Sequence, residues 1–362
     1  MRVMNMYISM KIVLLKGVWM FTVLYFFSFK SFAQDQHYSQ FYNAPLYLNP
    51  AFTGTSPQQR IILNNRIQWP VLPQAYTSYS LSYDLSRPAL KSGFGLLLNT
   101  DKAGEAGLRS TSAGLIYSYK VQMENKWVLT PAVYFGYGSR SINYNKLVFG
   151  DQLEFGNTTA PTLDPSASEM ENFSYFDSGA GLLFYNKSSW AGVSLWHINE
   201  PGISFLDRVD RLPAKLTIHA GTRIALTTHW WNKNDVSYLT TSFIYNQQGP
   251  FTQIDLAVNY HIDPIVVGVS YRGIPVKKNA LGNMSRDAVV FSSGLRFNQI
   301  KFQYSYDFTV SELSVRSQGA HEVSLEYVFT TRANPKRVPK SMKFLPCPSF
   351  IPYDSYKIKK KK

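Results

Sequence analysis

Beyond roughly the first thirty residues, the chain is a succession of segments about ten residues long in which every second side chain is apolar or aromatic. Ile254, Leu256, Val258 and Tyr260 alternate with Gln253, Asp255, Ala257 and Asn259; Phe302, Tyr304, Tyr306 and Phe308 alternate with Lys301, Gln303, Ser305 and Asp307. Strand side chains point to opposite faces with a period of two, so each segment carries one apolar face and one polar face. A face bearing Lys and Asp does not line the core of a sandwich. Segments of this length and alternation are instead the signature of a membrane β-barrel.

Read along its whole length, the pattern predicts an all-β, transmembrane antiparallel β-barrel of about fourteen strands. The strands are expected near 60–68, 76–85, 92–100, 110–120, 127–138, 176–186, 189–197, 214–226, 236–246, 252–261, 265–272, 288–298, 299–308 and 320–330. Outer-membrane barrels alternate short periplasmic turns with longer external links. Counting links from the first strand, the even class contains Asn186-Lys187-Ser188-Ser189, His261-Ile262-Asp263-Pro264 and Asn298-Gln299, whereas the odd class contains 139–175, 198–213 and 273–287. The reading expects every very short link in the even class and both chain ends in the periplasm. Leu81, Tyr83, Leu216, Ile218, Leu256, Val258, Tyr304, Tyr306, Leu325 and Tyr327 are assigned to lipid. Lys215, His219, Arg223, Asp255, Asn259, Arg296, Gln303, Asp307, Glu322 and Glu326 are assigned to the lumen.

The compartment is read from the first residues. Lys11 and Lys16 flank an apolar run from Val18 to Phe29, and Ser31-Phe32-Ala33 offers small residues at the positions a signal peptidase reads, so 1–33 reads as a signal peptide. Met10-Lys11 would serve as a start as well as Met1. The residue immediately after the cleavage site is Gln34 rather than Cys, which argues against a lipoprotein, and the one cysteine, Cys347, rules out an internal disulfide framework. The formal charge of +14 is localised. The signal holds Arg2, Lys11, Lys16 and Lys30 and no acid; residues 331–362 hold ten basic residues and Asp354; the body between them holds 23 basic and 22 acidic residues. A neutral body leaves nucleic-acid binding through a basic face unsupported.

No catalytic constellation is legible. His37, His197, His219, His229, His261 and His321 lack metal-ligand spacing, and neither a phosphate-cradling Gly-rich element nor a Gly-x-Ser-x-Gly elbow occurs. The carboxylates Asp151, Glu154, Asp164, Glu169 and Glu171 share one predicted external loop, but their spacing matches no calcium loop. The expectation is a protein with no catalytic residue, metal or cofactor.

Two stretches break the alternation. One is the leader, 34–59, with Tyr38-Ser39-Gln40-Phe41-Tyr42-Asn43-Ala44-Pro45-Leu46-Tyr47-Leu48-Asn49-Pro50-Ala51-Phe52-Thr53-Gly54. The other, 331–362, is rich in Pro and ends in Lys357, Lys359, Lys360, Lys361 and Lys362, a composition that argues for a disordered basic tail. The leader resembles the opening of the PorP/SprF family of type IX secretion membrane proteins, in which a Gln-(Phe/Tyr)-Ser-Gln element leads into Asn-Pro-Ala-(Tyr/Phe)-x-Gly. The motif residues are Tyr38, Ser39, Gln40, Phe41, Pro45, Tyr47, Asn49, Pro50, Ala51, Phe52 and Gly54. Arg66, Gln68, Trp69 and Pro70 resemble the family's Arg-x-Gln-Trp segment. Ala44 before Pro45, and Thr53, depart from the usual pattern.

The resemblance implies a non-enzymatic outer-membrane component of the type IX secretion and gliding apparatus, which helps cargo such as large adhesins reach and stay at the cell surface. Its implied partners are outer-membrane lipids, other secretion components and the adhesin-type cargo. Two alternatives from other classes stand beside it: a passive channel of porin or fatty-acid type, and a surface receptor reading its ligand through the long loops. The leader is expected at the periplasmic mouth, either loosely ordered or folded into the lumen as a plug anchored by Tyr38, Phe41, Tyr47 and Phe52. The Lys cluster of the tail is suited to docking an acidic periplasmic partner.

Overall fold

The computed structural model describes residues 35–329 except 57–58, 73–74, 124–126, 155–160, 166, 168–171, 206–209, 227–236, 279–283 and 311–317. The signal peptide and the basic tail lie outside the described residues. The body is a closed antiparallel barrel of fourteen strands. They are β1 Arg60–Gln68, β2 Tyr76–Arg87, β3 Ser92–Ala103, β4 Leu108–Tyr119, β5 Val128–Ser141, β6 Phe173–Tyr185 and β7 Ser189–Trp196. The second half comprises β8 Lys215–Leu226, β9 Ser237–Gln248, β10 Phe251–Ile262, β11 Ile265–Lys278, β12 Met284–Phe297, β13 Ile300–Thr309 and β14 Ala320–Val328. Lys120 interrupts β4, which resumes at Val121–Gln122. Each strand pairs with its sequence neighbours, and β1 closes on β14 with Leu63 opposite Leu325. Closure leaves no free edge, so the backbone polar groups facing lipid are paired within the sheet.

The predicted alternation holds around the wall. On β10, Leu256 and Val258 are 48% and 46% exposed while Asp255 and Asn259 are 3% and 2% exposed. Exposed aromatic residues collect towards both rims, Tyr79, Tyr137 and Phe176 at one and Tyr119, Phe297 and Tyr327 at the other. These are the girdles expected where a barrel meets the two membrane–water interfaces.

Two expectations are corrected. The very short links do not all fall in the even class, because β9 and β10 extend to Gln248 and from Phe251 and are joined by Gly249-Pro250, with Gly249 in the left-handed region at φ 54. The strands also run further at the odd-link rim than alternation suggests: β11 reaches Lys278 and β12 starts at Met284, with register shifts between Arg272 and Gly273 and between Ile274 and Lys278. The even number of strands still puts the start of β1 and the end of β14 at one rim.

The leader does not stay at that rim. It crosses the lumen, from Asp35 beside Gln248 at the odd-link rim to Gly54 beside Asp84 at the even-link rim. Three short helical turns carry it, a 3-10 turn Phe41–Asn43, α1 Pro45–Leu48 and a 3-10 turn Pro50–Phe52. Pro begins two of them at the position where its missing N–H is not needed, and the Asn49 side chain accepts from Ala51 N to cap the third.

Candidate functional site

The wall that meets the leader has two characters. Across β3 to β7 the inward wall carries an apolar cluster, with Leu97, Ile116, Tyr134, Leu183 and Trp196 packed against Phe41, Leu46, Leu48, Ala51 and Phe52. Burying these side chains is the main apolar gain in holding the segment. Asn49, fully buried, threads its amide between strands: Nδ2 donates to the carbonyls of Leu182 and Val193, both at 3.2 Å, and meets His219 Nε2 at 3.0 Å. That approach requires Gly181, where a Cβ would lie 2.1 Å from Asn49 Oδ1. Phe52 stacks on the His219 ring at 5.2 Å, and Tyr47 stacks on Trp196 with the Lys215 ammonium 4.6 Å from its centroid.

Opposite, on β1 and β10 to β14, the wall is charged. Ser39 Oγ donates to Asp307 Oδ2 at 2.6 Å and accepts from Arg66 Nη1 at 2.5 Å and Arg272 Nη2 at 2.6 Å. Arg66 and Arg272 both pair with Asp307, Arg66 also meets Glu322 at 3.3 Å, and Arg272 also meets Asp255 at 3.1 Å. The Glu322 carboxylate accepts the backbone N–H groups of Ser39 and Gln40 at 2.7 and 3.0 Å. Gln40 donates to Ser305 Oγ and to the Glu322 carbonyl, and accepts from Ser324 Oγ and Asn43 Nδ2. These bonds compensate the desolvation that buried charges incur.

At the even-link rim, Gly54 N donates to Asp84 Oδ2 at 2.9 Å and the Lys120 ammonium donates to the Gly54 carbonyl. Gly54 adopts φ 66, and a Cβ there would sit 2.7 Å from the Gly93 backbone, so both conformation and space demand glycine.

The odd-link rim carries a latch whose Asp35 and His197 lie outside the strands. Asp35 Oδ2 lies 2.9 Å from His197 Nε2 and 3.6 Å from Lys215 Nζ, and His197 Nδ1 lies 2.9 Å from Asp177 Oδ1. Burial disfavours the Asp35 carboxylate, but the charges of His197 and Lys215 outweigh it and hold the pKa well below the ordinary 3.8. Burial likewise disfavours the His197 imidazolium, but Asp35 and Asp177 outweigh it and raise the pKa from 6.5 to about 9. A raised pKa means that His197 contributes fully below pH 6.5 and loses its contribution as the pH climbs through about 9. The lowered pKa of Asp35 means that its contribution is present above 3.8 and fails only in stronger acid. Amide exchange at Gln36 to Tyr38, corrected for its intrinsic rate, is expected to lose protection between pH 6.5 and 9, and His197→Gln should show the unprotected rate throughout. A pH-independent protection factor in the wild-type chain would contradict the latch.

Of the motif residues predicted from sequence, the structure brings Tyr38 to Gly54 and Arg66 together. Gln68, Trp69 and Pro70 do not join them: they end β1 at the odd-link rim, where Trp69 N donates to the Gly319 carbonyl and its ring meets Tyr76 edge-on at 5.4 Å. Among the site residues the motif missed is Asn43. Its Nδ2 reaches Gln40, Gln303 and Ser324, its Oδ1 accepts from Lys301 Nζ at 2.5 Å, and its carbonyl accepts from Asn64. In the long link after β5, Asp151 is occupied by Thr162 and the Leu163 N–H, and among the described residues no cluster of three His, Cys, Asp or Glu is placed to hold a metal.

The family model described as type IX secretion system membrane protein PorP/SprF matches residues 30–327, from the end of the predicted signal to the last strand. The chain belongs to the PorP/SprF family. No curated protein matches it. Among solved structures, a Pseudomonas aeruginosa FadL homologue is 12% identical over 78% of this chain and 93% of its own, with a TM-score of 0.39. CdiB from Acinetobacter baumannii is 5% identical over 75% and 60%, TM-score 0.42, and a Rh. blastica porin mutant is 9% identical over 75% and 99%, TM-score 0.32. This PorP/SprF protein is thus an outer-membrane β-barrel of a type IX secretion family, a family not known for catalysis. Residues 35–54, which fall within the matched span, are folded into the lumen.

Proposed function

We propose that this PorP/SprF protein is a non-enzymatic component of the type IX secretion and gliding apparatus that assists the export or surface attachment of particular cargo of the large-adhesin class. The observation that carries this reading is the coincidence of family motif and luminal filling: Tyr38, Gln40, Leu46, Asn49, Ala51 and Phe52 are all buried inside the wall. A passive channel needs an unobstructed lumen, and the apolar half of this wall would then face water. A plugged barrel serves a secretion component, for which leakage of small solutes is a cost rather than a purpose. The rim where β14 ends is assigned to the periplasm together with the basic tail, whose Lys357 and Lys359 to Lys362 are suited to an acidic periplasmic partner. The long-link rim, where Asp35 enters the lumen, is then external.

Deleting the gene and labelling intact cells with antibodies to surface adhesins tests the reading. One adhesin is expected to disappear from the surface while other type IX cargo is still exported, and restoring the chain should bring it back. Normal adhesin display together with reduced uptake of small solutes would support the passive channel instead.

A further inference from the structure

The odd-link rim carries a pocket on the outside of the wall, lined by no residue of the leader. Lys102, Arg109 and Ser141 stand side by side there across β3, β4 and β5, on the lipid-facing side of the sheet. The link after β5 folds back beside them. Asn143 N donates to the Ala106 carbonyl at 3.0 Å, and Asn172 Oδ1 accepts from Ile142 N at 3.2 Å and from the Tyr144 hydroxyl at 3.4 Å. A 3-10 turn, Tyr144–Lys146, then brings Lys146 to the same place. The resulting cavity measures about 480 Å³, the size of a small-ligand site.

Its charge is of one sign. Lys102, Arg109 and Lys146 line the cavity, no acid does, and Glu105 of the neighbouring turn is exposed. Among the described residues none of the three cations forms an ion pair. The rest of the lining is uncharged, with Ser141, Asn143 and Asn172 offering hydrogen-bonding groups.

The register of the same three strands grades the wall below the pocket. One outward step down, Thr100, Thr111 and Ser139 are level, and the two Thr hydroxyls lie 3.3 Å apart. The next step holds Leu98, Ala113 and Tyr137, and the one after it Leu96, Leu115 and Phe135. Tyr137, Leu115 and Phe135 are exposed, and the small Ala113 leaves a furrow between Leu98 and Tyr137. Cations, then hydroxyls, then aromatic and aliphatic side chains follow the order of headgroup, backbone and acyl chains in a lipid standing against the wall.

We propose that this face is a binding site for a lipid whose headgroup is a phosphorylated sugar. The phosphate meets Lys102, Arg109 and Lys146, the sugar hydroxyls meet the amide and hydroxyl lining, and the acyl chains lie against Leu98, Leu115 and Phe135. A bare phosphate would leave most of the cavity unfilled, and a neutral sugar would leave three cations unopposed. The site belongs to the outer face of the wall and is independent of the cargo role, so either can fail without the other.

The test is native mass spectrometry of the full chain in a neutral detergent, titrated with monophosphorylated lipid A, with phosphatidic acid or with inorganic phosphate. One lipid A is expected to bind saturably, more tightly than phosphatidic acid and far more tightly than phosphate. Lys102→Gln and Arg109→Gln should each weaken it about fivefold, the worth of one cation facing a lipid headgroup. Arg87→Gln, which removes an exposed cation at the opposite rim, should leave it unchanged. Lys146→Gln, outside the strands, serves if either strand variant loses the heat-modifiable gel mobility of a folded barrel. No saturable binding, an equal loss in Arg87→Gln, or binding of phosphatidic acid or phosphate as tight as that of lipid A overturns the proposal.

Discussion

Removing Tyr38–Gly54 from the full chain is expected to turn a barrel that is silent in planar bilayers into one that conducts in discrete steps. The wall of fourteen strands encloses more space than its own side chains fill on the β3 to β7 side, and Phe41, Leu46, Leu48 and Phe52 occupy that space. Without them Leu97, Ile116, Leu183 and Trp196 lose their packing partners, so lower thermal stability should accompany the new conductance. A milder release comes from Asn49→Ala, which takes away the amide bridging the carbonyls of Leu182 and Val193. That variant should show intermittent openings. A deletion variant that folds, as judged by heat-modifiable mobility, and still passes no current would mean that the leader does not close the lumen.

The second large effect is expected from Asp307→Ala. One carboxylate oxygen accepts from Ser39 Oγ, Arg66 Nη2 and Arg272 Nη1 at 2.6, 2.8 and 3.1 Å. Its removal leaves two buried guanidinium groups with Glu322, Asp255 and the exposed Asp287 to balance them, and removing one partner of a buried ion pair costs about 3–5 kcal/mol. Urea unfolding of the refolded protein in lipid vesicles should show a loss of that order. Because Ser39 belongs to the leader, the same variant should loosen the plug and raise its susceptibility to protease. A shift within about 0.5 kcal/mol, the range of an ordinary surface substitution, would remove the charge cluster from the account.

The barrel was legible in sequence because its physics is local. A period of two fixes which face each residue takes, so β1 appears over Arg60–Gln68 as expected, and Asp307, Glu322 and Asp255 face inward as expected. The strand ends were less legible at the odd-link rim, where Pro275 and the register shifts of β11 blur the alternation. The lumen was one of the two places the sequence allowed for the leader, but its path there was not legible, since its partners lie far along the chain: Ser39 meets Asp307 and Asn43 meets Ser324 only after the barrel has closed. A signal for the seat of the leader was nevertheless present. Leu96-Leu97-Leu98 and Leu182-Leu183-Phe184 are apolar on both faces, which a water-filled lumen does not require. Leu97 and Leu183 are the inward members of those runs, and both touch the leader's cluster.

Replacing Tyr47 by a photoreactive phenylalanine derivative and irradiating intact cells tests the central claim most directly. The ring stacks on Trp196 and sits beneath the Lys215 ammonium, so mass spectrometry should find leader peptides joined to peptides of β7 and β8 within the same chain. Crosslinks only to other proteins, or to none, would contradict a leader lodged in the lumen of this barrel.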